Sequence, residues 1–235
     1  MKGKCVIKIG GSLLFKDGKN IDSKKVIDFC NIIKNKSNYD SIVVVCGGGI
    51  VAREYINAVR TFNGNEALCD TFGIELSRIN SKLIIACLNE NAFPQVPKTI
   101  EELSIAMLHE KILVMGGLQP GQSTTSVATE VAEYINAENL VILTDVKGIY
   151  DKDPKKFEDA KLLKKLSYKE VQGIILETSG NKQAAAGEYR IFDAVSLQIL
   201  KRSKIEVFIM SGIDLSQFEK FWNGDKNISG TRITN

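Results

Sequence analysis

Short runs of apolar, often β-branched residues alternate along the chain with longer stretches in which apolar residues recur every three or four positions. The short runs lie at residues 4–9, 41–46, 111–115, 139–143 and 206–209. In 42–45 and 141–143 no polar residue interrupts the apolar positions, which is typical of strands covered on both faces of a parallel sheet. Strands that alternate with amphipathic helices predict the α/β class, here a three-layer α/β/α sandwich around a central, mostly parallel sheet.

Two of the longer stretches show the i, i+3, i+4, i+7 spacing of an amphipathic helix. The first contains Val26, Phe29, Cys30 and Ile33, and the second, a long helix near residues 66–90, contains Leu68, Phe72, Leu76, Ile79 and Leu83. We expect both sets to face the core. Because no internal repeat or long linker divides the chain, residues 1–235 are predicted to form a single domain. The stretch 178–190, with two glycines and three alanines, is the best candidate for a mobile loop.

The composition of the 235 residues excludes several classes of function. The 31 basic and 28 acidic residues give a net charge of +3, too small to indicate a nucleic-acid partner. Five cysteines form no C-x-x-C pair, so they are predicted to be reduced core residues, and His109 is the only histidine, which excludes a multi-histidine metal site. No apolar run approaches the roughly 18 residues of a membrane-spanning helix, and no signal peptide is evident, so we expect a cytoplasmic protein without a membrane partner.

Three predicted strands end in glycine-rich turns, at residues 9–12, 46–49 and 115–123. In a parallel sheet the carboxyl ends of all strands lie on one edge, so these turns can converge and direct backbone N–H groups and helix N-termini at one anion. A single Gly-Gly pair is commonly an ordinary tight turn, and that explanation stays open for each turn taken alone. Three such turns at one edge favour a phosphate-binding site.

Two of these turns partly match known phosphate-binding motifs. Residues 47–52 satisfy the dinucleotide pattern G-x-G-x-x-G/A, but Glu66 and Asp70 start a helical repeat where a second strand with an acidic end is expected. A nicotinamide enzyme is therefore disfavoured. Residues 116–123 match a P-loop except that Gln122 replaces the lysine. This loop is predicted to hold a phosphate while the positive charge comes from elsewhere.

Lys8 and Arg53 are the candidate sources of that charge. Lys8 interrupts an apolar strand directly before the first glycine turn, which favours a phosphate partner over a side chain that snorkels to the surface. Arg53 follows the triple glycine by one helical turn and can supply a second cation, although the same spacing also fits a solvated helix face.

The order of these features resembles the amino acid kinase family, and the similarity runs from Lys8 to residues 230–233. The most specific part is residues 144–150, Thr-Asp-Val-Lys-Gly-Ile-Tyr, with Asp153 and Pro154 behind them, which is similar to the family signature T-D-V-D-G-V-Y-x-x-D-P. The resemblance implies a carbamate kinase-like fold and a phosphotransferase that uses ATP and Mg²⁺. The residues implied to contact ATP are Gly10, Gly11, Ser12, Gly49, Arg53, Thr144, Asp145, Tyr150 and Asp153.

Within the family, the nearest resemblance is to the UMP kinases of archaea, on the G-G-S start, the triple glycine followed by Arg53, and the loop at residues 115–117. It implies transfer of the γ-phosphoryl group of ATP to UMP, giving UDP in pyrimidine nucleotide biosynthesis. Asp70 would bind the ribose hydroxyls of UMP, or alternatively stabilise the N-terminus of its helix. Thr124 is expected to cap the next helix. The residues implied to bind UMP are Gly48, Asp70, Gly117, Leu118, Gln119, Pro120, Gly121, Gln122, Ser123 and Thr124.

The same resemblance implies catalytic roles for Lys8, Arg53 and Asp193. Asp193 matches the family aspartate that orients the catalytic lysine, and it is also a candidate N-cap for a helix at residues 194–202. A homo-hexamer assembled from dimers, with the long helix as a contact, and competitive feedback inhibition by UTP are further implications. Lys147 and Thr125 depart from the family pattern, which has aspartate at the first position and often an acid at the second.

Two other interpretations stay open. The same fold can phosphorylate a carboxylate, a carbamate or an isoprenoid phosphate, although isopentenyl phosphate kinases use a histidine near the acceptor and none occurs in that region here. The chain could also bind or store a nucleotide or oxyanion without catalysis, since the family includes a metal-oxide storage branch. The presence of both Lys8 and Asp193 favours transfer.

Overall fold

The protein is built around one seven-stranded sheet. The computed structural model describes residues 3–18, 20–35, 38–152, 154, 156–179 and 191–235. The strands in this part of the chain are β1 Gly3–Ile9, β2 Phe15–Lys16, β3 Asn20–Ile21, β4 Tyr39–Cys46, β5 Leu113–Met115, β6 Asn139–Thr144, β7 Lys165–Ser167, β8 Glu206–Ser211 and β9 Thr231–Thr234. The large sheet has the order β5-β4-β1-β6-β8-β9-β7, and β2 and β3 form a separate hairpin. All neighbours in the large sheet are parallel except β8 and β9.

Helices connect the strands, and side chains cap the N-termini of several of them. They are α1 Ser23–Lys34, α2 Gly49–Thr61, α3 Glu66–Leu88, α4 Ile100–Ala106, α5 Thr124–Tyr134, α6 Tyr168–Ser179, α7 Ala194–Ser203 and α8 Ser216–Trp222, with 3₁₀ turns at Gly11–Leu14, Asn89–Asn91 and Met107–His109. The N-caps Asp22, Asn65 and Thr99 accept a hydrogen bond from the backbone N–H three residues later, which satisfies a donor that the helix itself leaves free.

The helices cover both faces of the sheet. On one face Val131 of α5 and Leu200 of α7 belong to the same core cluster as Val6 of β1. On the other face Phe29 of α1 and Trp222 of α8 cluster with Ile7. Adjacent residues of a strand point to opposite faces, so these two clusters are separate layers. The predicted three-layer α/β/α fold with a mostly parallel sheet is confirmed.

The five predicted strands are all present, with ends that differ by no more than two residues from the predicted ones. β7 and β9 were not predicted. Both are short: β7 is the edge strand and β9 lies next to it, and Thr231–Thr234 alternates buried and half-buried positions. Such brief segments carry little periodic signal.

Helix α3 does not bury the apolar face that its spacing predicts. Leu68 is 46% exposed and Ile79 is 57% exposed, so the predicted core face is wrong at these positions. The buried residues of the helix are Cys69, Ile74, Ser77, Asn80, Ser81, Ile84 and Leu88. Polar side chains occupy the buried face because they bond to the glycine turns, as described below. Helix α1, by contrast, buries Val26, Phe29, Cys30 and Ile33 as predicted.

The remaining sequence expectations concern single residues and segments. Cys5, Cys30, Cys46 and Cys69 are buried, Cys87 is half-buried, and all five are free thiols. His109 is exposed, with its ring against Phe93. Residues 180–190 lie outside the described residues, and with them most of the predicted loop at 178–190. Among the helices described, none is both long and apolar enough to cross a lipid bilayer.

Candidate active site

The three glycine-rich turns meet at the carboxyl edge of the sheet. β1, β4 and β5 are parallel neighbours, so the turns that follow them emerge side by side and line one cleft with α2, α3 and the start of α5. The predicted site residues that line this cleft are Lys8, Gly10, Gly11, Ser12, Gly48, Gly49, Arg53, Asp70, Gly117, Gln122, Ser123 and Thr124. Backbone N–H groups and two cationic side chains therefore surround a single space.

The first two turns are in direct backbone contact. The N–H of Gly47 donates to the carbonyl of Ile9 at 2.9 Å, which continues the pairing of β1 and β4 into the turns. Gly49 has a φ of +74°, in the left-handed region that glycine adopts without strain, and α2 begins at this residue. The chain thus reverses within the turn and presents the N-terminus of α2 to the cleft, an arrangement that suits an anion.

Helix α3 anchors the second and third turns through its buried polar residues. The side-chain amide of Asn80 donates to the carbonyls of Gly47, at 2.7 Å, and Gly48, at 3.2 Å. The Ser77 hydroxyl accepts a hydrogen bond from the N–H of Gly117 at 2.7 Å. Neither residue is among the site residues predicted from the sequence. The available signal was the helical spacing of Ser77, Asn80 and Ser81 with Ile84, which marks a second, partly polar stripe on α3.

Lys8 lines the cleft and is 8% exposed. It lies on the same side of β1 as Val6, the side that α5 covers. Burial lowers the pKa of Lys8 to about 8, and the negative charge of Asp145 opposes this decrease. None of the ion pairs between described residues includes Lys8. A buried ammonium of this kind is stabilised by an anionic ligand.

Arg53 lines the same cleft from α2, one helical turn after the helix begins. Its side chain is half-buried rather than on a solvated helix face. Like Lys8, it belongs to none of the ion pairs between described residues. Its guanidinium is therefore free of a carboxylate in that part of the chain, and its planar donors suit phosphate oxygens.

The predicted acceptor loop divides into two parts. Gln122, Ser123 and Thr124 line the cleft, whereas Leu118, Gln119, Pro120 and Gly121 do not, and Gln119 and Pro120 are exposed. The N–H of Gly121 donates to Asp70 at 2.7 Å, which fastens the loop to the start of α3. Ser123, not Thr124, is the N-cap of α5, so that expectation is wrong by one residue. The Ser123 hydroxyl accepts from the N–H of Ser126 at 3.1 Å.

Asp193 contacts serines, and the carboxylate whose charge acts on Lys8 is Asp145. The Ser126 hydroxyl lies 2.6 and 2.7 Å from the two carboxylate oxygens of Asp193. The N–H of Ser196 donates to the same carboxylate at 2.8 Å, so Asp193 is the N-cap of α7, as its alternative interpretation predicts. Burial acts to raise the pKa of Asp193, but hydrogen bonds from Ser123, Ser126 and Ser196 outweigh it and hold the pKa below its usual value.

The signature residues lie beside the first turn, on the neighbouring strand. The N–H of Gly10 donates to the carbonyl of Leu143 at 3.0 Å, which places the end of β6 next to this turn. Thr144 is the last residue of β6, and its hydroxyl donates to Asp145 at 3.3 Å. Tyr150 forms a short bridge with Leu162. None of Thr144, Asp145 and Tyr150 lines the cleft itself, and Asp153 lies outside the described residues.

A second, wider cleft lies between α1 and α8 and has a volume of about 740 Å³. Its charged residues are largely paired with one another: Lys24 with Asp28 at 2.7 Å, and Lys25 with Asp22 at 3.8 Å. Because these cations are already neutralised, this cleft lacks the electrostatic character of the first one.

The model of the amino acid kinase family matches residues 3–211. This chain belongs to that family. The match contains the three glycine turns, helices α2, α3 and α5, and Asp193, and thus the whole of the cleft. The fold of this amino acid kinase and the signature at residues 144–150 agree with the membership.

Relatives and solved structures resemble the chain over nearly its full length. A uridylate kinase from Methanobrevibacter smithii is 42% identical over 98% of this chain and 98% of the relative. One from Sulfolobus acidocaldarius is 39% identical over 95% of this chain and 96% of the relative. The crystal structure of uridylate kinase from Archaeoglobus fulgidus is 31% identical with a TM-score of 0.82, covering 98% of this chain and 100% of that one. The UMP kinase from Ureaplasma parvum, 19% identical over the full length of both chains, has a TM-score of 0.82 and shows the shared fold alone.

Proposed function

We propose that the chain is a UMP kinase, which transfers the γ-phosphoryl group of ATP to UMP and releases UDP and ADP. One observation carries the proposal: Lys8 and Arg53, in no ion pair with a described residue, line the cleft in which three glycine-rich turns meet. Cations and backbone N–H groups suit two phosphate groups that must approach each other. Similarity to uridylate kinases over nearly the whole chain supports UMP as the acceptor.

The residues divide into an acceptor side and a donor side. Asp70 would accept hydrogen bonds from the ribose hydroxyls of UMP, and its contact with Gly121 places the acceptor loop beside the nucleotide. The turn at residues 10–12 and Gly49 would contact the phosphates of ATP, with Thr144, Asp145, Tyr150 and Asp153 nearer its nucleoside. Lys8 and Arg53 lie between the two sides. Asp193 would act through Ser126 and Ser123, which hold the N-terminus of α5 in place.

The chemistry needs positioning more than a base. The acceptor is an anionic phosphate oxygen and already a nucleophile, so the main task is to neutralise the repulsion between two polyanions and align them. With a pKa of about 8, Lys8 is mostly protonated at neutral pH and can bind the transferred group as its charge shifts between oxygens.

ATP and Mg²⁺ fit the donor set of this cleft. Among the described residues no cluster of three acidic, cysteine or histidine side chains forms a metal site, so Mg²⁺ would be held mainly by phosphate oxygens and water, as is common for this ion. The ion supplies positive charge that offsets the charge of the phosphates.

An acceptor panel tests the proposal. The purified protein is incubated with Mg-ATP and, separately, UMP, CMP, dTMP, isopentenyl phosphate, glutamate or aspartate, and ADP release and the phosphorylated product are measured. We expect UDP as product and a kcat/KM for UMP at least about tenfold above that of any other acceptor. A different preferred acceptor would overturn the UMP assignment. Nucleotide binding without ADP release from any acceptor would favour a binding or storage protein.

Finer proposals concern assembly, regulation and location. We propose a single domain, because strands from both halves of the chain share one sheet. We also propose a homo-hexamer assembled from dimers, in which α3 contributes a contact. The exposed apolar residues Leu68 and Ile79 on α3 support such a contact. We also propose a cytoplasmic role in pyrimidine nucleotide biosynthesis, with UTP as a competitive inhibitor against UMP. Light scattering measures the particle mass and tests the hexamer. Inhibition kinetics with UTP test the proposed competition with UMP.

A further inference from the structure

Gln122 is held by a neighbouring acid in a way that fixes the direction of its amide. Its Nε2 donates a hydrogen bond to a carboxylate oxygen of Glu130, in the second turn of α5. Its Oε1 is buried, and no described residue donates a hydrogen bond to it. Every other buried side-chain nitrogen or oxygen atom of the described residues has a hydrogen-bond partner. Gln122 also lines the cleft, together with Gly117 and Ser123.

The carboxylate of Glu130 removes the usual ambiguity of a glutamine amide. An ionised carboxylate only accepts hydrogen bonds, so only the NH₂ end of Gln122 can face it. If the amide turned over, two oxygen atoms would meet. The other end of the side chain is therefore always an acceptor. A buried acceptor without a donor is unfavourable, so a ligand that brings an N–H to it gains affinity.

We infer that Gln122, oriented by Glu130, distinguishes uracil from cytosine in the acceptor nucleotide. The inference rests on the proposed function and names a specificity-determining residue of that site. Uracil carries a hydrogen on ring atom N3, whereas cytosine has a lone pair there. Oε1 accepts a hydrogen bond from the N3–H of UMP, but it meets a second acceptor in CMP, and the mismatch leaves both buried groups unpaired.

The neighbours of Gln122 place it near the expected position of the base. Gly121, the preceding residue, is bonded to Asp70, the carboxylate proposed to bind the ribose. The base is joined directly to that ribose, so the inference places its edge beside the next side chain along the loop. Gly73 and Ile74 of α3 line the same cleft and offer an apolar surface to the base.

Glu130→Gln is the test, with Glu133→Gln as the matched control. A glutamine at position 130 can accept or donate, so the Gln122 amide is free to turn over and present Nε2 to N3 of cytosine. Glu133 lies on the same helix, but its carboxylate pairs with Arg202. We expect Glu130→Gln to lower the ratio of kcat/KM for UMP over CMP by roughly tenfold or more. Glu133→Gln is expected to leave that ratio unchanged.

A second measurement keeps the inference testable if Glu130→Gln fails to fold. In the wild type, N3-methyl-UMP lacks the N–H and is expected to lose roughly tenfold to a hundredfold in kcat/KM relative to UMP. In Gln122→Ala the same methylation should matter much less. An unchanged UMP-to-CMP ratio in folded Glu130→Gln, or an equal methylation effect with and without Gln122, overturns the inference. Failure of the proposed function looks different, because the wild type would then not phosphorylate UMP at all.

Discussion

Gly11 lies so close to Gly47 that a Cβ atom on Gly11 would be only 2.3 Å from the Gly47 carbonyl oxygen. The same atom would be 2.3 Å from the amide nitrogen of Gly49. These neighbours are backbone atoms, which cannot rotate away as a side chain can. The close approach joins the first and second turns, so the shape of the phosphate-binding cleft depends on a glycine at position 11.

Replacing Gly11 by alanine is expected to separate the two turns. We expect the free energy of unfolding to decrease by about 2 kcal/mol, because overpacking against a fixed backbone strains the folded state. We also expect kcat/KM for UMP to fall on the order of 10²-fold, since the N–H groups that align the phosphates are displaced. Urea denaturation and steady-state kinetics measure the two effects.

Gly173→Ala is the control for that substitution. A Cβ at Gly173, inside α6, meets no atom within 4 Å. Alanine is also the better helix former, by up to about 1 kcal/mol, so stability should stay level or rise and activity should not change. Normal activity in Gly11→Ala would contradict the role given to the close approach of the turns.

Lys8→Met is expected to raise stability while abolishing most activity. Burial lowers the pKa of Lys8 from 10.5 to about 8, so the protonated side chain destabilises the folded, ligand-free protein by roughly 3 kcal/mol at pH 7. Methionine has a similar shape without the charge, so the free energy of unfolding should increase by about 1 to 3 kcal/mol. The value of kcat should fall on the order of 10³-fold, because a cation in contact with the transferred phosphoryl group is lost.

The stability gain in Lys8→Met has its own pH dependence. Between pH 8 and 10.5 the unfolded chain binds the Lys8 proton more strongly than the folded one, so wild-type stability rises with pH there and the advantage of methionine disappears. Lys24→Met removes an exposed lysine paired with Asp28 and should change stability by less than about 1 kcal/mol. A large decrease in the free energy of unfolding of Lys8→Met would show that the charge of Lys8 does not destabilise the folded protein.

The pKa of Lys8 also predicts a basic limit to activity. Since kcat/KM reports the free enzyme, it should decline for UMP as the pH rises through about 8 and the ammonium loses its proton. Lys8→Arg keeps its charge at these pH values, so its kcat/KM, though lower at pH 7, should stay level up to about pH 10. The measurement is a pH profile of both proteins with UMP limiting. A wild-type profile that is flat to pH 10 would argue against a charged Lys8 as the group required.

Asp193 is expected to matter for stability and for the position of the acceptor loop. Asp193→Ala removes an N-cap and the bond to Ser126, and should reduce the free energy of unfolding by about 2 kcal/mol at pH 7. Because the folded pKa is depressed, the contribution of the charge is present above the unfolded value of about 3.9 and is lost as the pH falls through the folded value. Asp193→Asn, which cannot titrate, should therefore approach wild-type stability only below about pH 4. Denaturation curves from pH 7 to 3.5 check this, and equal losses at all pH values would contradict it.

The sequence predicts the centre of the fold well because the central strands contain long apolar runs. β1, β4 and β6 are buried on both faces, and their composition alone indicates a parallel sheet. β7 and β9, of three and four residues, are too short to give the same signal. The convergence of the turns is also predictable, because parallel neighbours place their carboxyl ends on one edge.

The residues that hold the glycine turns and α5 in place are not predictable in the same way. Leu68 and Ile79 have the helical spacing expected of a core face, yet they are exposed. Ser77 and Asn80 are buried instead, because they form hydrogen bonds with backbone groups of the glycine turns. That preference depends on hydrogen bonds between segments distant in sequence. The same is true of Asp193, whose contact with Ser126 spans 67 positions and carries no local signal.

A crystal structure of the protein with UMP and a non-hydrolysable ATP analogue tests the proposed phosphate-binding cleft most directly. We expect the UMP phosphate to contact Arg53 and the N–H groups of the second turn, and the γ-phosphate to lie within hydrogen-bonding distance of the Lys8 ammonium. Nucleotide phosphates bound in the wider cleft between α1 and α8, or a Lys8 side chain in contact with neither phosphate, would contradict it.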